Sequence, residues 1–134
     1  MNTSKLITGT VAGTIAGFVA SFIIYGFILA SFMEANVSSK AEVEMVYLVL
    51  GHVFYAAMLT YIFLQWAGIK TPGTGAKAGA IIALLGGLGV NIILLGTSTL
   101  FPGGIVAAIV DALGGAVSWA IGGAAIGWVI GRGD

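Results

Sequence analysis

Four apolar runs dominate this sequence: Leu6 to Met33, Val43 to Ala67, Ala76 to Leu100 and Gly103 to Ile130. Each exceeds the roughly 20 residues a helix needs to cross the hydrocarbon core of a bilayer. Only 7% of the 134 residues are charged, against about 25% in a soluble domain. Such a chain cannot clothe a globular surface in charge, so the bilayer is its expected solvent and first partner. Strands of a membrane barrel would be about 10 residues long and would alternate polar with apolar. These runs are continuous and far longer, and a helix satisfies its own backbone in lipid. The predicted fold is therefore all-α, a single transmembrane domain over residues 1–134.

The connections are short. Pro72 and Pro102, the only prolines, fall between the runs, where they break helices harmlessly. Short connections favour antiparallel neighbours, so an antiparallel up-down four-helix bundle is expected. Thr74 is the expected cap of the third helix. The first run is too long for the 7–15-residue apolar core of a signal peptide, and is read as a retained span.

Orientation follows from the basic residues. Lys5, Lys70, Lys77 and Arg132 fall on one side of a four-span topology, and only Lys40 on the other. The positive-inside rule then places both termini in the cytoplasm, for a multi-pass protein of the inner (plasma) membrane. Net charge is zero, which removes the basic stripe that nucleic-acid binding needs. Cysteine is absent, so disulfides, thiolate metal sites and Cys nucleophiles are excluded. No metal set or cofactor motif stands out, and none is expected.

There are 22 glycines. Gly9, Gly13 and Gly17 repeat every four residues in the first run, and Gly75, Gly79, Ala83 and Gly87 in the third. The fourth carries Gly115 and Gly122 in one small-residue row, with Gly123, Gly127 and Gly131 beside it. Such rows let helix backbones approach, which drives packing in lipid. Two small faces on one helix exceed what a monomer needs, and this points to a homo-oligomer or a larger membrane complex.

His52, Asn91 and Asp111 are the strongly polar side chains well inside the runs. At 1.5 Å rise per residue each lies roughly 12–13 Å from the outer end of its helix. The shared level predicts a His52–Asp111 hydrogen bond with Asn91 as a further partner. Tyr55, one turn below His52, and Tyr25 on the first helix complete the candidate set. Intramembrane ionisable groups often mark ligand or proton sites; polar groups also clamp helices together. A Ser118–His52–Asp111 triad can be written down, but it lacks a nucleophile's local context, and no catalytic residue is assigned.

Short motifs add a resemblance. Tyr25-Gly26 late in the first run is followed by Phe32-Met33. Gly68-Ile69-Lys70, a turn and Lys77-Ala78-Gly79 open the second half. In these the chain resembles a group of small four-span bacterial membrane proteins of unknown function, over most of its length. Ile24 stands where that group usually has Trp. The resemblance implies a bacterial inner-membrane protein and brings no activity with it. The leading functional expectation is a structural, accessory or self-associating membrane subunit, not an enzyme. The alternative is a small transporter or channel built on His52, Asn91 and Asp111.

Overall fold

The structure, a computed structural model, describes residues Met1–Gly133. Asp134, the last residue of the terminal Arg-Gly-Asp, lies outside the described residues. Those described are helical or in short connections, with no strand among them. Four helical stretches are long and apolar enough to cross a membrane: Thr3–Ile28, Met45–Ala67, Pro72–Thr97 and Gly104–Gly131. The chain is a multi-pass membrane protein by that measure.

The first run is not one regular helix, contrary to the 6–33 reading. Helix α1 (Thr3–Ile23) starts at Asn2, whose side chain accepts from the Lys5 amide. It opens into a π-helical turn over Ile24–Ile28 and gives way at Leu29 to a short α2 (Ala30–Asn36). The Leu29 amide reaches back five residues to the Ile24 carbonyl, at 2.7 Å. One extra residue in a turn re-aims every side chain beyond it, and a continuous apolar run carries no sign of that.

Helix α3 (Met45–Ile62) also runs into a π-helical turn, Phe63–Ala67. Gly68 ends it at φ +60°, a left-handed conformation that favours glycine. Helix α4 (Pro72–Thr97) begins four residues before the expected Ala76. Thr71, not Thr74, is the cap: its hydroxyl accepts from the Thr74 amide at 3.2 Å. Pro72 opens the helix rather than separating two, because the first turn needs no donor there. Helix α5 (Gly104–Gly131) is the longest.

Helix α5 is the hub, with α4 and α1 packed along it and α3 packed on α1. Consecutive helices α3 and α4 do not lie side by side. They share only a side-chain cluster around Leu59, Phe63, Ala83 and Trp119. Along α4 and α5, Gly75 meets Gly123, Gly79 meets Trp119, and Gly87 meets Ala112. Along α1 and α5, Gly9 meets Ile130, Gly13 meets Ile126, and Gly17 meets Trp119. In both pairs residue numbers rise on one helix as they fall on the other.

The glycine rows are thus consumed inside the chain. A Cβ on Gly75, Gly79, Gly123 or Gly127 would strike a backbone carbonyl of the facing helix or of Thr71. The α1 glycines instead receive side chains, Gly9 taking Thr60 and Ile130 and Gly17 taking the Trp119 ring. Gly122 also lies under Trp119. The surplus face expected of α5 is occupied by α4. Two glycines of the expected set pack less tightly. A Cβ on Gly87 would sit 3.4 Å from Ala112, and one on Gly115 3.5 Å from the Tyr25 hydroxyl.

The end opposite the termini, called distal here, is laced together. The Ser38 amide donates to Leu100 O and the Gly103 amide to Asn36 O, at 2.8 and 3.1 Å. The lacing ties the chain after α2 to the turn before α5. Helix α3 escapes it, and Val43 to Leu50 are exposed all round.

Candidate functional site

Asn91 is buried on α4, and its side-chain amide donates to Ala108 O at 3.0 Å and to Asp111 Oδ2 at 2.8 Å. The expected Asn91–Asp111 pair is present. From the other side of α5, the Tyr25 hydroxyl donates to the Asp111 backbone carbonyl at 2.6 Å. The π-helical turn of the first span brings it there. Two elements, α4 and the first span, thus converge on one turn of α5.

The expected His52–Asp111 bond is absent. His52 Nδ1 lies 2.8 Å from Leu48 O and Nε2 lies 3.1 Å from Ser21 Oγ. A carbonyl only accepts, so Nδ1 carries a proton. The Ser21 hydroxyl can donate to Nε2 or accept from it, so the ring is anchored at both nitrogens. The equal depths counted along each helix did not translate into one level. His52 sits beside Ser21 and Trp119, a turn or more below Tyr25 and Asp111. Direction failed as well, since the Asp111 carboxyl faces α4 while His52 lies between α1 and α3.

Trp119 fills the space the expected cluster would occupy, and is itself nearly buried. Tyr55 stacks on it with ring centres 4.3 Å apart, and His52 at 5.6 Å, both tilted by 28°. Phe18 meets the His52 ring edge-on at 5.3 Å. Tyr55 therefore belongs to an aromatic stack, not to the polar group at Asp111. Ser118 is fully buried, and its hydroxyl donates to Gly114 O within its own helix. The written triad is not assembled. Among the described residues no three His, Asp or Glu side chains gather to hold a metal.

Sequence reasoning overlooked Ser21 and Trp119. Trp119 carried a signal: it is the one Trp in the middle of a span rather than near an end, and mid-span bulk among small residues marks an inward-facing plug. Ser21 had none beyond its position on the face of Gly9, Gly13 and Gly17.

Two hollows flank Tyr25. One is a cleft of about 560 Å³ between α1, the distal half of α3 and α5, lined by Phe22, Tyr25, Leu48, His52, Gly115 and Trp119 among others. The second, of about 500 Å³, lies nearer the distal connections and is lined by Tyr25, Met33, Glu34, Val37, Ser38 and Pro102 among others. Tyr25 is the wall they share. The cleft exists because α3 is held to α1 only from its middle onward, while its distal half stands off.

No family model matches the chain, and no curated protein and no solved structure matches it either.

Proposed function

We propose that this chain is a small membrane transporter that takes a small amphipathic molecule into the cleft between α1, α3 and α5. One observation carries the reading. The bundle fills its glycine rows internally and yet leaves a volume of about 560 Å³ beside His52, Tyr25 and Trp119. Small-molecule sites are typically 300–1,000 Å³, mostly apolar, with a few polar groups that set orientation. The exposed apolar side chains of Phe22 and Met45 rim the cleft, so a ligand enters sideways from the hydrocarbon.

Within this reading Asn91 and Asp111 clamp α4 to α5, and the ligand groups are Tyr25, Ser21 and His52. No catalytic step is assigned. The excess of Lys and Arg at the termini and the 68–71 turn supports cytoplasmic termini. The resemblance noted above supports a bacterial inner membrane. The absence of native cysteine makes topology testable: a single Ser39→Cys is predicted to react with an impermeant maleimide added outside intact cells.

Flux decides the matter. Proteoliposomes are assayed for uptake of a lipophilic cation (tetraphenylphosphonium), its anionic counterpart (tetraphenylborate) and neutral N-phenylnaphthylamine. Uptake of at least one above protein-free vesicles, lost in Gly115→Leu, supports the reading; no protein-dependent uptake of any of them contradicts it.

A second reading, self-association, keeps one specific support. Gly86, Gly89 and Gly96 on α4 face open space, a small-residue face that no helix of this chain covers. Native mass spectrometry from mild detergent showing monomer alone would count against it.

A further inference from the structure

Resting on the cleft as a ligand site, we infer that its ligand is a hydrophobic organic cation, bound with its charged end at Tyr25 where the two hollows meet. The cleft is rich in aromatic side chains, with Phe18, Phe22, Tyr25 and Trp119 all contributing to its lining. Aromatic faces carry negative quadrupole charge and attract cations within about 6 Å. No Lys or Arg lines either hollow. His52, which also lines the cleft, has both ring nitrogens engaged, by Leu48 O and Ser21 Oγ.

Acidic residues outnumber basic ones around this end: Glu34, Glu42 and Glu44 against Lys40. Glu34 lines the second hollow. The only basic residue of the distal connections, Lys40, is ion-paired with Glu44. An anion here would meet aromatic side chains and the Glu34 carboxyl group, with no Lys or Arg to pair with. A cation at Tyr25 has an aromatic ring beside it and the Glu34 carboxylate in the same hollow. Its apolar body fills the space between Phe22, Leu48 and Trp119.

Tyr25 lines both hollows, one rimmed by exposed Glu34 and Ser38 and the other mostly by apolar side chains. Its hydroxyl is held by one hydrogen bond to the Asp111 carbonyl.

The test compares tetraphenylphosphonium with tetraphenylborate, nearly the same in shape and opposite in charge. Binding is measured calorimetrically in a neutral detergent, and the signal of Gly115→Leu, the filled cleft, is subtracted. The expected result is affinity for the cation at least tenfold above that for the anion. Glu34→Gln, at an exposed site that leaves the fold intact, should weaken the cation at least threefold and leave the anion unchanged or tighter. Equal or tighter binding of the anion overturns the cation assignment while leaving the cleft as a site. A cation preference indifferent to Glu34→Gln overturns the placement of the charged end. If neither probe binds beyond the Gly115→Leu background, the cleft reading itself falls.

Discussion

At Asp111 three helical elements are joined by three hydrogen bonds, two from Asn91 and one from Tyr25. Interhelical hydrogen bonds in membranes average about 0.6 kcal/mol each. Replacing Asn91 by Leu strips two of them and leaves a carboxyl without its donor, which costs about 1–3 kcal/mol. Asp111→Asn keeps an oxygen acceptor for Asn91 and is expected to cost under about 1 kcal/mol. Thermal unfolding in detergent checks both: Asn91→Leu melts clearly lower and Asp111→Asn nearly as wild type. This pair was legible in the sequence because both residues sit at a similar depth from the distal ends of adjoining helices. His52 was misassigned because counting residues gives depth but not direction. The contacts of Trp119 decide direction, and no spacing rule reports them.

At the level of the helix, the α4–α5 seam is the tightest in the molecule. Gly123→Ala drives a methyl into the Gly75 carbonyl. Overpacking of that kind costs about 1–3 kcal/mol, or more where backbone must move. Gly89→Ala meets nothing within 4 Å and should leave the melting temperature unchanged or slightly higher, since Gly is the poorer helix former. A paired measurement separates the packed row from the open one. Thr71→Ala should cost about 1 kcal/mol through the lost cap, whereas Thr74→Ala, which keeps its amide, should cost less. The spans themselves were readable from hydrophobic length alone. Their fine structure was not. A π-helical turn needs no special residue, and Pro72 is equally at home between helices or at the first position of one. Only the Thr71 side chain shows which.

Across the whole molecule, large apolar side chains stand bare where water would forbid it. Val46 is 72% exposed, Ile28 70% and Trp66 74%. Surfaces of that size and character on a soluble protein would associate; in lipid they are the solvated face. Charge is confined to the two ends except at Asp111, and Arg132 folds back over the Trp128 ring at 4.7 Å. The sequence also suggested an oligomer from the small faces of α5, but α1 and α4 occupy those faces. Besides the uncovered face of Gly86, Gly89 and Gly96 on α4, the packing leaves over a space, bounded by Trp119 and Tyr25. The central claim is that this space holds a ligand. Gly115 lines it without a side chain, and a Cβ there meets only the Tyr25 hydroxyl at ordinary contact distance. Gly115→Leu should therefore fold normally and fill the cleft. Saturable binding of tetraphenylphosphonium to wild type and Gly115→Leu, measured side by side with their melting curves, is the most direct test. The account predicts at least a tenfold loss of affinity with the melting temperature kept or raised. Equal binding by the two proteins would contradict it.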